Sequence, residues 1–280
     1  MGRSSKVCSS ATSETMPELP EVETVARQLA PTLKGQKLLK VDFLDTKLER
    51  TFWPPGSLPA AFPLAGRSIG NVQRIGKQVV LTLEEPGQKP LWLAVHLRMT
   101  GRLVFDVEPQ EPKHLRARFK LDGGELLFFD TRRFGVIKLH QEMAELVPTG
   151  IEPLSNELTS PRLASLLKKS RQPIKTWLLR QDRLVGLGNI YASEILFACA
   201  IHPERAAGSL SECEIRRLRR ATRAILRRAI SHQGTTFSDY RDSRGNKGSF
   251  QNLLHVYGKG GEPCKKCETL LVRLVQSGRS

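Results

Sequence analysis

Residues 115–129 read Leu-Arg-Ala-Arg-Phe-Lys-Leu, then Asp-Gly-Gly, then Glu-Leu-Leu-Phe-Phe. The first seven alternate strictly between apolar and basic residues. In an extended chain this puts every apolar side chain on one face and every cation on the other. A helix, turning 100° per residue, would scatter the same apolar set around its axis. Asp122-Gly-Gly124 supplies the residues that tolerate the positive φ of a tight hairpin. A two-stranded ribbon is not stable alone in water, so this hairpin must belong to a larger sheet. Val79-Val-Leu-Thr-Leu83, Leu91-Trp-Leu-Ala-Val-His-Leu97 and Leu126-Leu-Phe-Phe129 read as further strands. Residues 37–140 are therefore predicted to form a β-sandwich or barrel. One helix should precede it. Pro20 suits a first helical turn, Glu21 and Glu23 complement the positive end of the dipole, and Val22, Val25 and Leu29 make an apolar stripe. Pro31 and Gly35 are expected to end that helix.

The pattern changes at Val147-Pro-Thr-Gly-Ile-Glu-Pro153, where turn residues cluster and helical periodicity follows. Helices are predicted over 161–169, 173–181, 189–199 and 211–232, before Gly-rich loops and short strands return after Gly234. The last helix carries Arg216, Arg217, Arg219, Arg220, Arg223, Arg227 and Arg228. Two readings stand for it, a solvated face or direct phosphate contact. The formal net charge of +16 favours a polyanionic partner, because each neutralised phosphate releases a bound counterion. No apolar run approaches the roughly 20 residues that span a bilayer, so no membrane partner is expected. The five cysteines are Cys8, Cys199, Cys213, Cys264 and Cys267. They make no disulfide framework, which points to a reducing cytoplasm. Cys199 and Cys213 lie in helical contexts and read as packing residues.

Residues 1–15 are polar and Ser/Thr-rich, with no apolar core of the kind a secretory signal requires. They read as a tail ahead of a true start at Met16, or as a short transit segment. The choice decides the chemistry open to Pro17. If Met16 starts the chain and is removed, Pro17 exposes a secondary amine. An α-amino group titrates near 8, so on the order of 10% is neutral and nucleophilic at pH 7. Attack on a sugar C1′ would give an iminium, whose permanent positive charge acidifies the neighbouring C2′ proton. Glu18, next in the chain, could protonate the opened sugar.

Met16-Pro-Glu-Leu-Pro-Glu-Val-Glu-Thr24 is joined by Gln73–Lys77, His96-Leu-Arg-Met-Thr-Gly101, Asp130-Thr-Arg-Arg-Phe-Gly135, Gly186-Leu-Gly-Asn-Ile-Tyr-Ala-Ser-Glu194, Gly234-Thr-Thr236 and Val256–Cys267. In this order the motifs resemble those of the bacterial formamidopyrimidine-DNA glycosylase family (8-oxoguanine DNA glycosylase, DNA lyase MutM), from Met16 to Ser280. The resemblance implies an α+β fold: an N-terminal two-layer β-sandwich with a helix, a helical helix–two-turns–helix domain, and a C-terminal zinc-finger-like β-hairpin. It implies a catalytic domain over 16–147, a DNA-binding domain over 148–235, and a lesion-capping loop with a truncated hairpin over 236–280. It implies base-excision repair of oxidised purines in double-stranded DNA, with cleavage of abasic sites by β- and δ-elimination, by a monomer in a bacterial cytoplasm. The catalytic set carried over is Pro17, Glu18, Lys77 as proton donor in β-elimination, and Arg279 as donor in δ-elimination. Met99, Arg132 and Phe134 would fill the gap left by a flipped nucleotide. His114, Arg171, Lys175 and Asn189 would contact the DNA, with Arg116 where the family often has a second histidine. Gly186 and Gly188 would allow close backbone approach, with a helix N-terminus facing phosphate. Gly248–Gln251 would form a mobile lid.

Structural zinc, one per chain, is the family's implied cofactor. Cys264 and Cys267 are half of a four-cysteine site, and the sequence ends at Gly278-Arg279-Ser280 before a second pair. Either the sequence is a fragment or tight zinc binding is lost. Two other functions stay open: a non-catalytic binder of damaged DNA, and a pyrimidine glycosylase like endonuclease VIII. Leu19, where that relative typically has Gly, favours purines.

Overall fold

The computed structural model describes residues 16–56, 63–105, 112–237 and 239–280. Residues 1–15, on which the reading of a tail rests, lie outside them. Two four-stranded antiparallel sheets form a sandwich. One runs β1 (Leu38–Phe43), β6 (Leu115–Leu121), β7 (Gly124–Asp130), β5 (Gly101–Phe105). The other runs β2 (Ser68–Ile75), β3 (Gln78–Glu84), β4 (Leu91–His96), β8 (Val136–His140). The alternation in β6 is realised as drawn: Leu115, Ala117, Phe119 and Leu121 are buried, and Arg116, Arg118 and Lys120 are not. The hairpin closes with Leu121 opposite Gly124. Strand β3 is apolar on both faces because both are covered. Val79, Leu81 and Leu83 enter the inter-sheet core, while Val80 packs with Ala94 and Leu146 outside it.

Helix α1 (Leu19–Leu33) places Val22, Val25, Leu29 and Leu33 in the inter-sheet core. It continues past Pro31, contrary to expectation. The missing N–H falls in the last turn, and fully buried Leu33 anchors that turn from beyond the proline. A second short helix, α2 (Thr46–Phe52), lies outside the sequence-based expectation. Asp45 caps it by accepting from Lys47 N–H at 2.9 Å, and Phe52 is buried at its end. A helix of 7 residues is too short to display a helical period.

The remaining helices are α3 (Ser160–Leu167), α4 (Ile174–Leu178), α5 (Asn189–Ala198) and α6 (Glu212–Ser231). They surround a second core containing Leu163, Trp177, Tyr191, Ile195, Leu218 and Leu226. Helix α4 is shorter than its periodicity suggests. Gln181 donates to the carbonyls of Leu179 and Leu187 and accepts from Gly186 N–H, closing a turn where the helix would otherwise run on. Arg74 joins the two halves, bonded to Glu23 and to Glu152 at 2.8 Å each.

The C-terminal segment departs from expectation. Residues 261–264 and 269–271 face each other in antiparallel fashion, with Gly261 N–H donating to the Leu271 carbonyl at 2.8 Å, Leu271 N–H to the Glu262 carbonyl at 2.9 Å and Cys264 N–H to the Thr269 carbonyl at 2.9 Å. The pairing reaches only the isolated bridge Pro263–Leu270 and no regular strands, and Gln276 pairs with Arg279. Gly248–Gln251 is held against neighbouring segments. Gly248 N–H donates to Thr236 Oγ1, Phe250 N–H donates to the Gly234 carbonyl, and Phe250 is buried against Tyr191. Cys213, expected to pack, is exposed, because it falls on the outer face of α6. Cys199 is buried as expected.

Segment 255–257 is tied down by one buried carboxylate. Glu194, on α5, accepts from His255, Val256 and Tyr257 N–H at 2.8–2.9 Å. Replacing Glu194 with Ala strands these donors and should cost about 3 kcal/mol. Urea unfolding should show this as a lower midpoint with an unchanged slope.

Candidate active site

The site forms where the start of α1 meets the start of α5. Pro17 is buried at the junction, and Leu19 N–H donates to the Gly186 carbonyl at 2.9 Å. Glu18 inserts its carboxylate at the N-terminus of α5, accepting from Gly188 N–H at 2.7 Å, Ile190 at 2.9 Å and Tyr191 at 3.4 Å. These are the N–H groups that the sequence suggested for phosphate. They are taken by a carboxylate of the protein instead, since a helix N-terminus favours any anion that reaches it. Gly188 is required for this approach: a Cβ there would lie 2.4 Å from Glu18 Cδ. Burial raises the Glu18 pKa to about 7 even though the neighbouring Lys77 charge opposes the rise.

Lys77 sits in the β2–β3 turn and is buried. Burial pulls its pKa down, Glu18 pulls it up, and the nearby charge of Arg279 pulls it down again. Glu18 and Arg279 are thus both within electrostatic reach of Lys77 although the three are far apart in sequence. Arg279 itself is exposed. Lys175 is buried on α4, donates to the Ser280 carbonyl at 2.5 Å, and is also depressed, first by burial and then by Arg279.

Two loops at one end of the sandwich carry the next group. Thr100 is hydrogen-bonded to Asp130, and Thr100 Oγ1 accepts from Arg132 N–H at 3.1 Å. Asp130 Oδ2 accepts from Gly135 N–H at 2.6 Å. This clasp holds Met99 half-buried and leaves Arg132 and Phe134 exposed, the guanidinium 4.8 Å from the ring centre. An exposed phenylalanine held on a rigid clasp is not a core residue. His114 ends a short 3-10 turn before β6. Arg116 is half-buried, its Nε donating to the Asp130 carbonyl. Arg171 is exposed just before α4. Asn189 opens α5, its Oδ1 buried without a hydrogen-bond partner among the described residues.

Sequence reasoning missed part of the site. Glu21, which reads as a surface charge at a helix start, is fully buried. It accepts from Glu18 N–H at 2.8 Å, Tyr191 O–H at 2.5 Å and Thr235 N–H at 2.7 Å. Burial raises its pKa. Nothing local distinguishes it from Glu23, which faces Arg74. His96 is a second such residue. Its Nδ1 accepts from Arg98 N–H, and burial together with the charges of Arg98 and Lys77 pushes its pKa down to about 4. Its place at the head of the His-Leu-Arg-Met-Thr-Gly motif is the signal that could have found it.

A structural zinc needs four ligands. Cys264 and Cys267 form a turn in which Lys266 N–H points to Cys264 Sγ at 3.4 Å. Among the described residues no group of three or more His, Cys, Asp or Glu side chains gathers to hold a metal. The described donor set therefore does not fit a closed zinc site.

The chain matches two family profiles: the formamidopyrimidine-DNA glycosylase N-terminal domain over residues 16–137 and the formamidopyrimidine-DNA glycosylase H2TH domain over residues 149–241. It is 41% identical to the formamidopyrimidine-DNA glycosylase of Symbiobacterium thermophilum over 271 residues, covering 94% of this chain and 86% of that one. The crystal structure of the MutM (Fpg) protein of Thermus thermophilus aligns with a TM-score of 0.80 at 40% identity, covering 94% and 95% of the two chains. The Lactococcus lactis Fpg in complex with abasic-site DNA aligns with a TM-score of 0.80 at 32% identity, covering 94% and 96%. With buried Glu18 and Lys77 at a shared junction, and a fold and sequence of this likeness, the chain belongs to the formamidopyrimidine-DNA glycosylase family.

Proposed function

We propose that the protein excises oxidised purines, 8-oxoguanine and formamidopyrimidines, from duplex DNA and then cleaves the strand, using the Pro17 amine as nucleophile. The observation that carries this reading is the buried cluster of Pro17, Glu18 and Lys77. With the preceding residues removed, the Pro17 nitrogen attacks C1′ of an extruded nucleotide, and the bond to the damaged base breaks. The amine's proton passes to the departing base, the bond between C1′ and the ring oxygen breaks, and C1′ becomes part of an iminium. The ring oxygen of the sugar takes a proton as the ring opens, and Glu18 is the donor. A carboxyl with a pKa of about 7 is protonated in about half of the molecules at neutral pH, whereas an ordinary carboxyl is almost entirely ionised. The iminium then acidifies C2′–H. Loss of that proton expels the 3′ phosphate, and a second elimination expels the 5′ phosphate, leaving a one-nucleotide gap. Lys77, whose lowered pKa makes it a readier donor than a surface lysine, serves the first elimination, and Arg279 the second.

Met99 and Phe134 fill and wedge the emptied stack, and Arg132 offers donors to the orphaned cytosine. His114, Arg171, Lys175 and Asn189 hold phosphates. The division into a catalytic domain at 16–147, a DNA-binding domain at 148–235 and a C-terminal segment at 236–280 follows from these roles. The protein works as a monomer in the cytoplasm. A zinc ion would require ligands beyond Cys264 and Cys267, and no step above depends on it.

Borohydride trapping on an 8-oxoguanine:cytosine duplex tests the nucleophile. A covalent adduct is expected from protein beginning at Pro17 and none from protein beginning at Met1, since an acylated proline nitrogen is an amide. An adduct from the longer form would move the assignment to a lysine. No adduct from either would leave a non-catalytic binder of damaged DNA.

The pH dependence follows from the raised Glu18 pKa. The proton is present below about pH 7 and lost above it, so single-turnover excision should carry a falling limb centred near 7. Glu18→Gln should remove that limb and slow excision by about 10²–10⁴-fold. A limb that persists in Glu18→Gln assigns the acid elsewhere.

Lys77→Ala should spare lesion binding and slow strand cleavage more than base release. Gel analysis with and without alkaline workup separates the two, and equal losses in both would sink the assignment.

A further inference from the structure

Helix α6 presents a second cationic surface that the site above does not use. Its inner residues Ile215, Leu218, Thr222, Leu226 and Ala229 are buried. On the opposite side Arg216, Arg217, Arg220, Arg227 and Arg228 are all exposed. At 100° per residue these five fall within a sector of about 120°. Arg216 alone has a carboxylate beside it, Glu212 at 3.3 Å. Among the described residues, Arg217, Arg220, Arg227 and Arg228 have no side-chain hydrogen bond or ion pair. The inner pair on the same helix behaves differently. Arg219 and Arg223 are spent within the fold, donating to the carbonyls of Leu158, Leu154 and Ser155. The arginines that the fold needs are thus accounted for, and the outer ones are not among them. They also oppose the helix, because like charges three and four residues apart repel one another.

We propose that this face binds the phosphate backbone of a second DNA segment while the cleft holds the first. The chemistry of the face selects the partner. Between the arginines lie only Ala224, Cys213 and Ser231, which offer no aromatic or aliphatic anchor for a protein interface. The apolar side of the helix is already buried, so it has nothing to insert into a lipid surface. A dense array of donors with no apolar centre suits phosphates, whose binding is driven by counterion release. From Arg216 to Arg228 the array runs about 18 Å, the rise of about five phosphates along one strand. A second contact of this kind would let the protein pass between neighbouring DNA segments during search without releasing the first.

The test uses the full chain with its cleft filled by an unlabelled duplex carrying an abasic-site analogue. A labelled undamaged duplex is then titrated, and anisotropy is read across a salt series. Wild-type protein should bind it with a log–log salt slope near −0.9 per phosphate engaged, about −3 to −4 for four arginines. The variant Arg217→Gln, Arg220→Gln, Arg227→Gln, Arg228→Gln should weaken this binding at least about tenfold and flatten the slope. The matching fourfold Arg→Lys variant should restore most of it. Circular dichroism and lesion excision at saturating enzyme should be unchanged in both. Absence of a second duplex on wild-type protein, or equal capture by the glutamine variant, overturns the proposal. So does capture of phosphatidylserine vesicles or polyglutamate in its place, which would assign the face to a membrane or an acidic protein.

Discussion

The carboxylate of Glu18 at the start of α5 is the contact on which the arrangement depends. One residue completes the N-terminus of a helix in one domain while it begins the first helix of the other. Leu19, its neighbour, is packed in the helical core, whereas Val22 and Val25, farther along the helix, are packed between the sheets. Helix α1 is therefore shared between two cores. Pro17, at its head, is carried to the junction between them. The carboxylate needs the α5 amides as partners because it is removed from water, and those amides need an anion because a helix start leaves them unpaired.

The same contact explains the electrostatics. Two buried carboxylates, Glu18 and Glu21, and a buried lysine share a small volume. Each charge opposes its own burial and supports or opposes the next. Burial dominates, so the carboxyls rise and the amine falls. Glu21 adds a scaffold function. Through Tyr191 and Thr235 it fixes the segment that follows α6 against α1.

Charge is distributed unequally over the rest of the molecule. The excess that gives the chain +16 is concentrated neither in the buried cluster nor in the sandwich core. It lies on outward faces: the alternate residues of β6, the clasp bearing Arg132, and the outer side of α6. A polyanion therefore meets favourable potential over a wide area before it meets the site, which speeds encounter without contributing selectivity. The Thr100–Asp130 clasp holds the loops that carry Met99, Arg132 and Phe134 through three hydrogen bonds.

The sequence by itself determined the periodic parts. The alternation of β6, the Asp122-Gly-Gly124 turn and the apolar stripes of α1 and α6 are local regularities, and the fold kept them because each buries one face whatever its neighbours are. Ordered motifs identified Pro17, Glu18 and Lys77, but their meeting is a property of the tertiary structure. Sequence could not separate Glu21 from Glu23, since burial and not residue type divides their roles. It could not foresee that Glu18 takes the α5 amides, because the competition between a protein carboxylate and a phosphate for one helix start is settled by proximity in space. It misjudged Pro31 and α2 for a common reason. Local propensity amounts to about 1–3 kcal/mol at such positions, and buried anchors such as Leu33 and Phe52 outweigh it.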